Sequence, residues 1–375
     1  MRVLQVNKLY HPFVGGVETT VRKIAEGLND KVDMQVLVCQ GFGKAITETV
    51  NGVRLTRSRS FGIFFSMPLS IDFLFQFKRL VANADIVQLH SPFPLADLAV
   101  LLCQFRGKLI VWWHSDIVRQ KFFSKMLRPI INYCLKRSDS IIVASQNIVS
   151  SSEYLKPYQH KIVVIPFGLD MAEYQVAIEN DNLSSKLFES KNVKLLYVGR
   201  LVYYKGVDVL LKAMETVDDA ELFVVGYGAL EKELKRSVFN SGLSKKVHFL
   251  GSLPKDKLLE AYKACDILVF PSCENSEAFG LVQLEAMFFG KPVINTNLPT
   301  AVPWVSLHNE TGLTVPVNDH KALAHAINKL VKNQKLRKTY GDNAAKRVRT
   351  LFDFQKMQQD LLAHYNNVLK GASDA

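Results

Sequence analysis

Short β-rich runs alternate with longer amphipathic stretches along most of this chain, and this alternation restricts the fold more than any other feature. The short runs are almost wholly apolar, which is typical of parallel strands covered on both faces. Repeated strand–helix order therefore predicts α/β architecture with doubly wound sheets. The expected strands are residues 3–6, 34–39, 85–89, 109–113, 140–144 and 162–165, then 193–198, 221–225, 247–250, 266–270 and 292–294. The clearest expected helices are residues 17–28, 95–104, 122–136 and 351–369.

The alternation stops once and restarts, so the sequence predicts two Rossmann-like domains. A polar stretch at residues 173–192, rich in Ser, Glu and Asn, separates them. We expect an N-terminal domain at residues 1–172, a C-terminal domain at residues 190–350, and a helical segment at residues 351–375 that packs back on the first domain. Ligands of open α/β sheets bind at the carboxyl ends of the strands. A ligand site is therefore expected in a deep cleft between the two domains.

Composition excludes several classes of protein. The 48% hydrophobic and 22% charged residues exclude a disordered chain, and five cysteines without a CxxC pair indicate buried thiols in a reducing compartment. No signal-peptide pattern and no uninterrupted apolar run of about 20 residues is present, so we expect a cytoplasmic protein. The 47 Lys+Arg against 35 Asp+Glu leave a net charge of +12. That charge suits nucleic acid, an anionic membrane or a phosphorylated substrate.

Two junctions between a strand and a helix carry glycines that suit anion binding. Gly15 and Gly16 directly precede the first expected helix, where free amides can meet an anion, although a plain loop-to-helix turn explains them equally well. Arg200 and Lys205 follow the strand at residues 193–198. Arg can hold two phosphate oxygens and Lys adds a point charge, so this junction predicts a diphosphate clamp rather than two solvated surface cations.

Two carboxylates flank the start of another expected helix. Glu277 lies in the turn after the strand at residues 266–270, and Glu285 lies on a helix that begins at about Phe279 or Gly280. If the whole interval were helical, the two would lie about 12 Å apart, whereas the carboxyl pair of a retaining glycosidase is about 5–5.5 Å apart. We therefore expect the pair to bind two groups of one extended ligand, with helix amides meeting a phosphate. A nucleoside diphosphate sugar has this order of groups.

The motifs together resemble glycosyltransferase family 4, a group of retaining enzymes with the GT-B fold. The resemblance covers essentially the full length in order and is strongest over residues 193–316. Its core is Glu277-x7-Glu285 within a stretch reading EAFGLVQLEAM, with GKPVI a few residues on. Supporting stretches are Gly199-Arg200 with Lys205-Gly206, Gly15-Gly16-Val-Glu18, His114-Ser-Asp116, Ile165-Pro-Phe-Gly-Leu-Asp170, Gly226-Tyr-Gly228 and Thr311-Gly-Leu-Thr-Val-Pro316.

The resemblance implies roles for the C-terminal motif residues. Arg200 and Lys205 would neutralise the leaving diphosphate, and Glu285 would hold the ribose hydroxyls. Glu277 would hold the transferred sugar, together with the backbone amides of Phe279, Gly280 and Leu281. Ser252 and Leu253 lie where the family grips the nucleobase.

The resemblance also implies roles in the N-terminal domain. Gly16 would let this domain reach the diphosphate, and His114 would contact the sugar near the reacting centre. The alternative for His114 is a satisfied core histidine, because histidine is often half-buried. The remaining motif residues would lie on the acceptor side: Gly15, Glu18 and Asp116.

Two positions depart from the family pattern. Phe167 replaces the usual Asn before a glycine, so any side-chain amide contact there is lost, and Asn309 stands where a glycine is common. No Asp-x-Asp triplet occurs, so we expect no metal and no other cofactor, with fixed cations stabilising the diphosphate instead. The family's retention is usually ascribed to front-face attack by the acceptor hydroxyl.

The resemblance favours GDP-mannose as donor and a polyprenyl-diphosphate-linked or similar glycan as acceptor, in bacterial polysaccharide or O-antigen synthesis. A UDP-hexose or UDP-N-acetylhexosamine transferase, a nucleotide-sugar epimerase and a phosphorylase of the same fold remain alternatives. A nicotinamide oxidoreductase is disfavoured because Gly226-Tyr-Gly228 lacks the third glycine of the fingerprint and lies in the second domain. Nucleic acid is not expected as a partner, since no nucleic-acid-binding module is recognisable.

The net positive charge has a second predicted use at an anionic membrane. Residues 106–137 contain eight basic residues and one acid, with Phe122, Phe123, Met126 and Leu127 among them. This pattern predicts an amphipathic helix on the inner face of the cell membrane, and an ordinary core-facing helix is the alternative. The eight basic residues are Arg106, Lys108, Arg119, Lys121, Lys125, Arg128, Lys136 and Arg137.

Residues 61–77 form a second apolar stretch, which either lines the acceptor side or fills the core.

Overall fold

Parallel strands interleaved with helices make up both halves of the chain, as the alternation predicts. The structure, a computed structural model, describes residues 1–13, 15–64, 67–116, 121–179 and 190–371. It divides into an N-terminal unit, Met1–Pro166 with Lys356–Ala375, and a C-terminal unit, Phe167–Gln355. Each unit contains its own sheet.

The N-terminal unit is built on an eight-stranded sheet. Its elements are β1 (Arg2–Val6), α1 (Gly16–Leu28), β2 (Asp33–Cys39), β3 (Ile46–Val50), β4 (Val53–Ser58), β5 (Ile63–Phe64), β6 (Met67–Pro68), α2 (Asp72–Val81), β7 (Ile86–Ser91), α3 (Pro94–Leu102), β8 (Lys108–Trp113), α4 (Lys121–Arg137), β9 (Ser140–Val143), α5 (Gln146–Ser151) and β10 (Ile162–Val164). The strand order is β10-β9-β8-β7-β1-β2-β4-β3, and β5 pairs only with β6. Every residue of the central strand β7 is buried, so both faces of the sheet are covered.

The edge of this sheet differs from the expectation, because β3 and β4 were not predicted from the sequence, and neither was the separate β5–β6 pair. Strand β3 runs antiparallel to β4, with Val50 opposite Val53. The two residues between them, Asn51 and Gly52, have φ of 49° and 83°. These left-handed conformations allow a two-residue hairpin, which Asn-Gly strongly favours. The Asn-Gly pair was therefore a hairpin signal in the sequence.

The C-terminal unit is built on a six-stranded, wholly parallel sheet. Its elements are α6 (Met171–Glu179), β11 (Val193–Val198), α7 (Val207–Met214), β12 (Ala220–Val225), α8 (Glu231–Asn240), β13 (Val247–Gly251), α9 (Lys255–Ala264), β14 (Ile267–Phe270), α10 (Leu281–Phe288), β15 (Val293–Thr296), α11 (Val302–Val305), β16 (Gly312–Val315), α12 (His320–Val331), α13 (Gln334–Leu351) and α14 (Phe354–Lys370), which continues into the N-terminal unit. The strand order is β13-β12-β11-β14-β15-β16. The order reverses between β11 and β14, which makes their carboxyl ends the topological switch point of the sheet. Among the strands described in this unit, only β16 was not predicted from the sequence.

Most of helix α14 belongs to the N-terminal unit and packs beside its central strands. The Tyr365 hydroxyl donates to Gln88 Oε1 on β7 at 2.5 Å, and the His364 ring lies 2.9 Å from the Ser140 hydroxyl on β9. Leu361 and Tyr365 are fully buried. No helix in the described ranges is long and apolar enough to cross a membrane.

Candidate functional site

The switch point of the C-terminal sheet brings together two side chains predicted from separate motifs. Lys205 follows β11, and Glu277 follows the neighbouring strand β14. Lys205 Nζ donates to Glu277 Oε2 at 2.5 Å, and Ser272 Oγ donates to the same oxygen at 3.0 Å. The two charged side chains are only 12% and 11% exposed. A poorly solvated ion pair of this kind is costly to disrupt from one side.

Two glycines allow the loops at this edge to come close. Gly206 has a φ of 64°, and a Cβ there would lie 2.1 Å from the Pro271 carbonyl oxygen. Gly280 has a φ of 78°, and a Cβ there would lie 2.7 Å from the Phe270 ring. Both positions therefore require glycine, for conformation and for space.

Arg200 lies at the exposed side of the Lys205–Glu277 pair. Its Nη2 donates to the Tyr204 hydroxyl at 2.7 Å, and its backbone carbonyl accepts from Tyr197 at 3.0 Å. The ring of Tyr204 also lies 5.6 Å from Lys205 Nζ. Two cations that share one aromatic ring form a compact positive surface, which suits an anionic group.

The start of α10 is held by an aromatic cluster. Phe279 is 3% exposed, and its ring contacts Phe167, Trp304 and Phe352 with centroid distances of 5.0, 6.5 and 6.0 Å. Gly280 caps the helix without a side-chain hydrogen bond. The side chain of Phe279 thus anchors the loop, while any ligand contact would come from the backbone. Phe167, the departure from the family pattern, is part of this anchor.

Glu285 lies on α10, as predicted, but with partners that the sequence analysis did not predict. Its carboxylate accepts hydrogen bonds from Tyr174 at 2.9 Å and from Tyr262. Burial raises the pKa of both hydroxyls, and the Glu285 charge raises them further, so both tyrosines remain donors. Helix α10 begins only at Leu281, so the interval from Glu277 is not wholly helical.

The nucleobase candidates lie farther along the sheet. Ser252 and Leu253 follow β13, an edge strand separated from β11 by β12. Ser252 is exposed and Leu253 is half-buried.

The second departure from the family pattern is Asn309. It adopts a φ of 61°, a left-handed conformation that explains why the family favours glycine there.

In the N-terminal unit, the glycine pair gives α1 an open start. Gly15 is the extended N-cap residue, and a Cβ there would lie 2.2 Å from Glu18 Oε2. A Cβ at Gly16 would meet nothing within 4 Å. Lys8, which the sequence analysis did not single out, is near this position. Burial lowers its pKa, and the charges of Glu18 and Asp97 oppose that shift.

His114 belongs to a buried pair of imidazoles. It is 5% exposed, and its Nε2 lies 2.9 Å from His90 Nδ1 with the rings nearly parallel at 5.2 Å. Burial, and to a smaller extent the nearby Lys8 charge, lower the pKa of His114 to about 3. His90 in turn contacts Gln5 and Gln88. This burial agrees with a core histidine, and a direct sugar contact stays a prediction.

Asp116 is also held by its own unit. Its Oδ1 accepts from Trp113 Nε1 at 3.0 Å and from Ser152 Oγ at 2.6 Å. Burial raises its pKa, although both hydrogen bonds favour the charged form. The carboxylate thus ties the end of β8 to the segment after α5.

Several cations of residues 106–137 are already engaged with the protein. Lys108 and Arg137 pair with Asp139 at 3.0 and 3.4 Å, and Arg128 lies 5.7 Å from the Tyr154 ring centroid. Arg119 and the side chains of residues 121–125 lie outside the described part of the chain. Those include Lys121, Phe122, Phe123 and Lys125.

Within the described residues, no three His, Cys, Asp or Glu side chains are grouped to hold a metal ion.

Comparison with known proteins agrees with this architecture. Residues 14–173 match the family described as Glycosyltransferase Family 4, and residues 179–347 match Glycosyl transferases group 1. O-antigen chain mannosyltransferase C of Escherichia coli is 32% identical over 380 residues, covering 100% of both chains. D-rhamnosyltransferase WbpZ of Pseudomonas aeruginosa is 33% identical over 360 residues, covering 94% of this chain and 92% of its own.

Solved structures share the fold at lower identity. Sucrose-phosphate synthase of Thermosynechococcus elongatus superposes with a TM-score of 0.80 at 22% identity, over 99% of this chain and 100% of its own. WaaG, a glycosyltransferase involved in lipopolysaccharide biosynthesis, superposes with a TM-score of 0.70 at 16% identity, over 96% and 98% of the chains. The class of protein is therefore a glycosyltransferase with the GT-B fold, as predicted. The chain belongs to glycosyltransferase family 4 and is a hexosyltransferase, and its relatives by sequence include enzymes named for bacterial surface polysaccharides.

Proposed function

We propose that this hexosyltransferase moves mannose from GDP-mannose to a lipid-linked glycan, such as a polyprenyl-diphosphate-linked acceptor, in bacterial polysaccharide or O-antigen synthesis. The observation that carries the transfer chemistry is the Lys205–Glu277 pair beside Arg200 at the switch point. The full-length relatives named as a mannosyltransferase and a rhamnosyltransferase support the choice of sugar and process.

The charges at this edge suit departure of a nucleoside diphosphate. When the bond between the anomeric carbon and the phosphate oxygen breaks, negative charge develops on the diphosphate. Arg200, Lys205 and the start of α10 would stabilise that charge. Lys has three N–H donors, so Lys205 can keep Glu277 while it binds a phosphate oxygen. Glu277 would then accept from sugar hydroxyls, and no metal would be needed.

On the acceptor side, a hydroxyl attacks the anomeric carbon and loses its proton. By family resemblance the attack is on the front face, with the departing phosphate oxygen as base. The sugar is transferred, the nucleoside diphosphate leaves with the proton, and the configuration is retained. His114, which is 5% exposed and neutral at pH 7, would contact the sugar rather than act as the base.

A donor panel tests the proposal. GDP-mannose is expected to raise the melting temperature more than UDP-glucose or UDP-N-acetylglucosamine, and to release GDP only when a lipid-linked acceptor is added. Lys205→Gln should lower kcat/KM by about 10²–10³-fold, the usual loss for one fixed electrostatic contact. Lys212→Gln, an exposed lysine on α7, should stay within about twofold and serves as the control.

Other outcomes would redirect the proposal. Stabilisation by UDP sugars alone would replace the donor. Conversion of the nucleotide sugar to an epimer without acceptor would indicate an epimerase, and sugar phosphate formed with inorganic phosphate would indicate a phosphorylase.

We also propose that the enzyme acts as a peripheral protein on the inner face of the cell membrane, because its net charge of +12 favours anionic lipid.

A further inference from the structure

Six large apolar side chains are exposed together on the N-terminal unit. They lie in and around the β5–β6 hairpin and at the start of α2, within the stretch whose role the sequence left open. Their exposed fractions range from 43% to 69%. Exposed apolar groups in this number mark an interaction surface rather than ordinary surface scatter. We call this surface the hairpin patch; its residues are Phe61, Ile63, Phe64, Leu69, Ile71 and Phe75.

Backbone pairing and side-chain contact make the hairpin patch continuous. Phe61 N donates to the Leu69 carbonyl at 3.0 Å, which closes the hairpin. A cavity of about 260 Å³ is lined by Phe61, Ile71 and Phe75 together with Arg59 and Asp72. The hairpin and the first turns of α2 therefore present one surface.

Helix α2 has an unusual solvent-facing side. Its core side buries Phe73, Phe77 and Val81, as in any packed helix. Its exposed side carries Ile71 and Phe75 and, at i+3 and i+4 from Phe75, Lys78 and Arg79. The exposed side is therefore apolar at its start and basic at its end.

Charge around the hairpin patch is also mainly positive. The Arg59 guanidinium lies 5.6 Å from the Phe61 ring centroid. The nearby acid, Asp72, already accepts from the Arg59 amide at 2.8 Å and from Gln76 at 3.2 Å. Lys78 and Arg79 are exposed, so the basic border faces solvent.

This combination matches the interface of an anionic lipid bilayer. Aromatic and aliphatic side chains enter the boundary between headgroups and acyl chains, while Lys and Arg meet lipid phosphates. A protein partner would not by itself require a basic border around an apolar centre. By contrast, Lys108, Arg128 and Arg137 of the basic stretch predicted from sequence are already engaged within the protein.

We propose that the hairpin patch is the membrane-docking surface of this enzyme, with Lys78, Arg79 and Arg59 on anionic headgroups. The inference rests on the proposed lipid-linked acceptor, because docking would hold the N-terminal unit where such an acceptor lies. It assigns membrane contact to the hairpin and α2 rather than to residues 106–137.

Vesicle co-sedimentation tests the apolar part of the surface. The full chain is expected to bind vesicles of phosphatidylglycerol and phosphatidylethanolamine. The double variant Phe61→Ser/Phe75→Ser should bind at least about tenfold more weakly, since two exposed rings no longer leave water. Phe239→Ser removes a ring that is 77% exposed, more than Phe61 or Phe75, from the C-terminal unit and should bind as the wild type does.

The basic border has its own test and control. Lys78→Gln/Arg79→Gln should weaken binding about fivefold for each cation removed, and added salt should reduce this difference. Lys232→Gln/Arg236→Gln on α8 removes two exposed cations from the C-terminal unit and should have little effect. Equal losses in both charge variants would mean that only net charge matters and would overturn the assignment.

Two further readouts separate this inference from the proposed function. With a short water-soluble acceptor, the Phe61→Ser/Phe75→Ser variant should transfer sugar at the wild-type rate, which also shows that it is folded. If wild-type enzyme transfers sugar but does not bind vesicles, the docking surface is wrong while the transferase proposal stands. If light scattering shows a dimer that this double variant dissociates, the patch is a subunit interface and the inference is overturned.

Discussion

At the residue scale, Asp97 shows how far burial can shift the pKa of a side chain in the N-terminal unit. It lies in the first turn of α3 and is 2% exposed, and its Oδ2 has no hydrogen-bond partner within the described residues. Burial raises its pKa to about 7, although a hydrogen bond from Cys134 and the Lys8 charge both favour the ionised form. The carboxyl group is therefore substantially protonated at neutral pH.

Asp97→Asn tests this assignment through the pH dependence of stability. An unfolded Asp loses its proton near pH 3.9, whereas native Asp97 keeps it until about pH 7. Stability from this group is therefore present at acid pH and is lost as the pH rises through that window. The variant should lose this dependence and be more stable than wild type at pH 8, by on the order of 2 kcal/mol.

Urea denaturation at pH 5 and pH 8 measures this effect as a difference between variant and wild type. Taking the difference removes the opposite contribution of His90 and His114. Burial lowers their pKa values, so they favour unfolding as the pH falls below about 6.5. Asp256→Asn, at an exposed position, is the control. A variant that is less stable than wild type at both pH values would show that Asp97 is needed as a charge.

The positions of the candidate site residues were predictable from the sequence where a motif directly follows a strand. Lys205 and Glu277 each stand at a strand end, and the adjacency of β11 and β14 explains their contact. The two tyrosines that donate hydrogen bonds to Glu285 belong to no motif and could not be predicted from the sequence. Tyr174 and Tyr262 come from α6 and α9, far apart in the chain, and only folding brings their hydroxyls to one carboxylate.

At the element scale, the close passage of the loops after β11 and β14 decides the shape of the candidate site. Gly206 ends the 3₁₀ turn that carries Lys205, and it begins α7 in a left-handed conformation. The Pro271 carbonyl from the second loop lies directly against it. A side chain at this position would separate the two loops and hence Lys205 from Glu277.

Gly206→Ala should therefore affect both stability and activity. A side chain at this left-handed φ lowers the free energy of unfolding by about 1–2 kcal/mol. The clash of its Cβ with the Pro271 carbonyl lowers it further. A shift of about 1 Å in the loop would lower kcat/KM about a hundredfold. Urea denaturation and steady-state kinetics measure the two effects.

Gly242→Ala provides a matched control for this substitution. Gly242 has a φ of 69°, but a Cβ there would meet nothing within 4 Å. The Gly242→Ala variant should lose about 1 kcal/mol of unfolding free energy and keep the wild-type kcat/KM. Equal activity in both variants would show that the loop contact at Gly206 does not shape the site.

Elements of the core were predictable because their strands are continuous apolar runs. The strand at residues 193–198 coincides with β11, and the other predicted strands overlap observed ones within a few residues. Strand β3, at the sheet edge, is exposed or half-buried and contains Thr and Glu, and β4 carries Arg, Thr and Ser among its apolar residues although most of it is buried. Their apolar periodicity is therefore weak, and the Asn-Gly turn was their strongest signal.

At the scale of the whole molecule, the chain leaves the N-terminal unit near Pro166 and returns to it at Lys356. Helix α14 supplies the returning segment and buries Leu361 and Tyr365 completely. The hydrogen bond from Tyr365 to Gln88 connects this helix to the buried histidine pair. The stability of the N-terminal unit thus depends on residues at the far end of the sequence.

Leu361→Ala tests this dependence. Removing a buried leucine side chain should cost about 2–5 kcal/mol, and amide hydrogen exchange in β7 and β9 should quicken accordingly. Leu351→Ala, where the leucine is 41% exposed at the end of α13, should leave these strands protected as in wild type. Unchanged protection in Leu361→Ala would show that α14 contributes little to the core of this unit.

The sequence by itself determined the α/β class, the division into two sheets and the positions of the motif residues, because these follow from local apolar periodicity and strand–helix order. Tertiary structure decided which side chains meet: Lys205 with Glu277, the tyrosines with Glu285, and His90 with His114. It also decided that Phe61 and Phe75 remain exposed while Phe73 and Phe77 are buried. The physical reason is that burial and pairing depend on contacts between distant segments, which no local pattern of residues records.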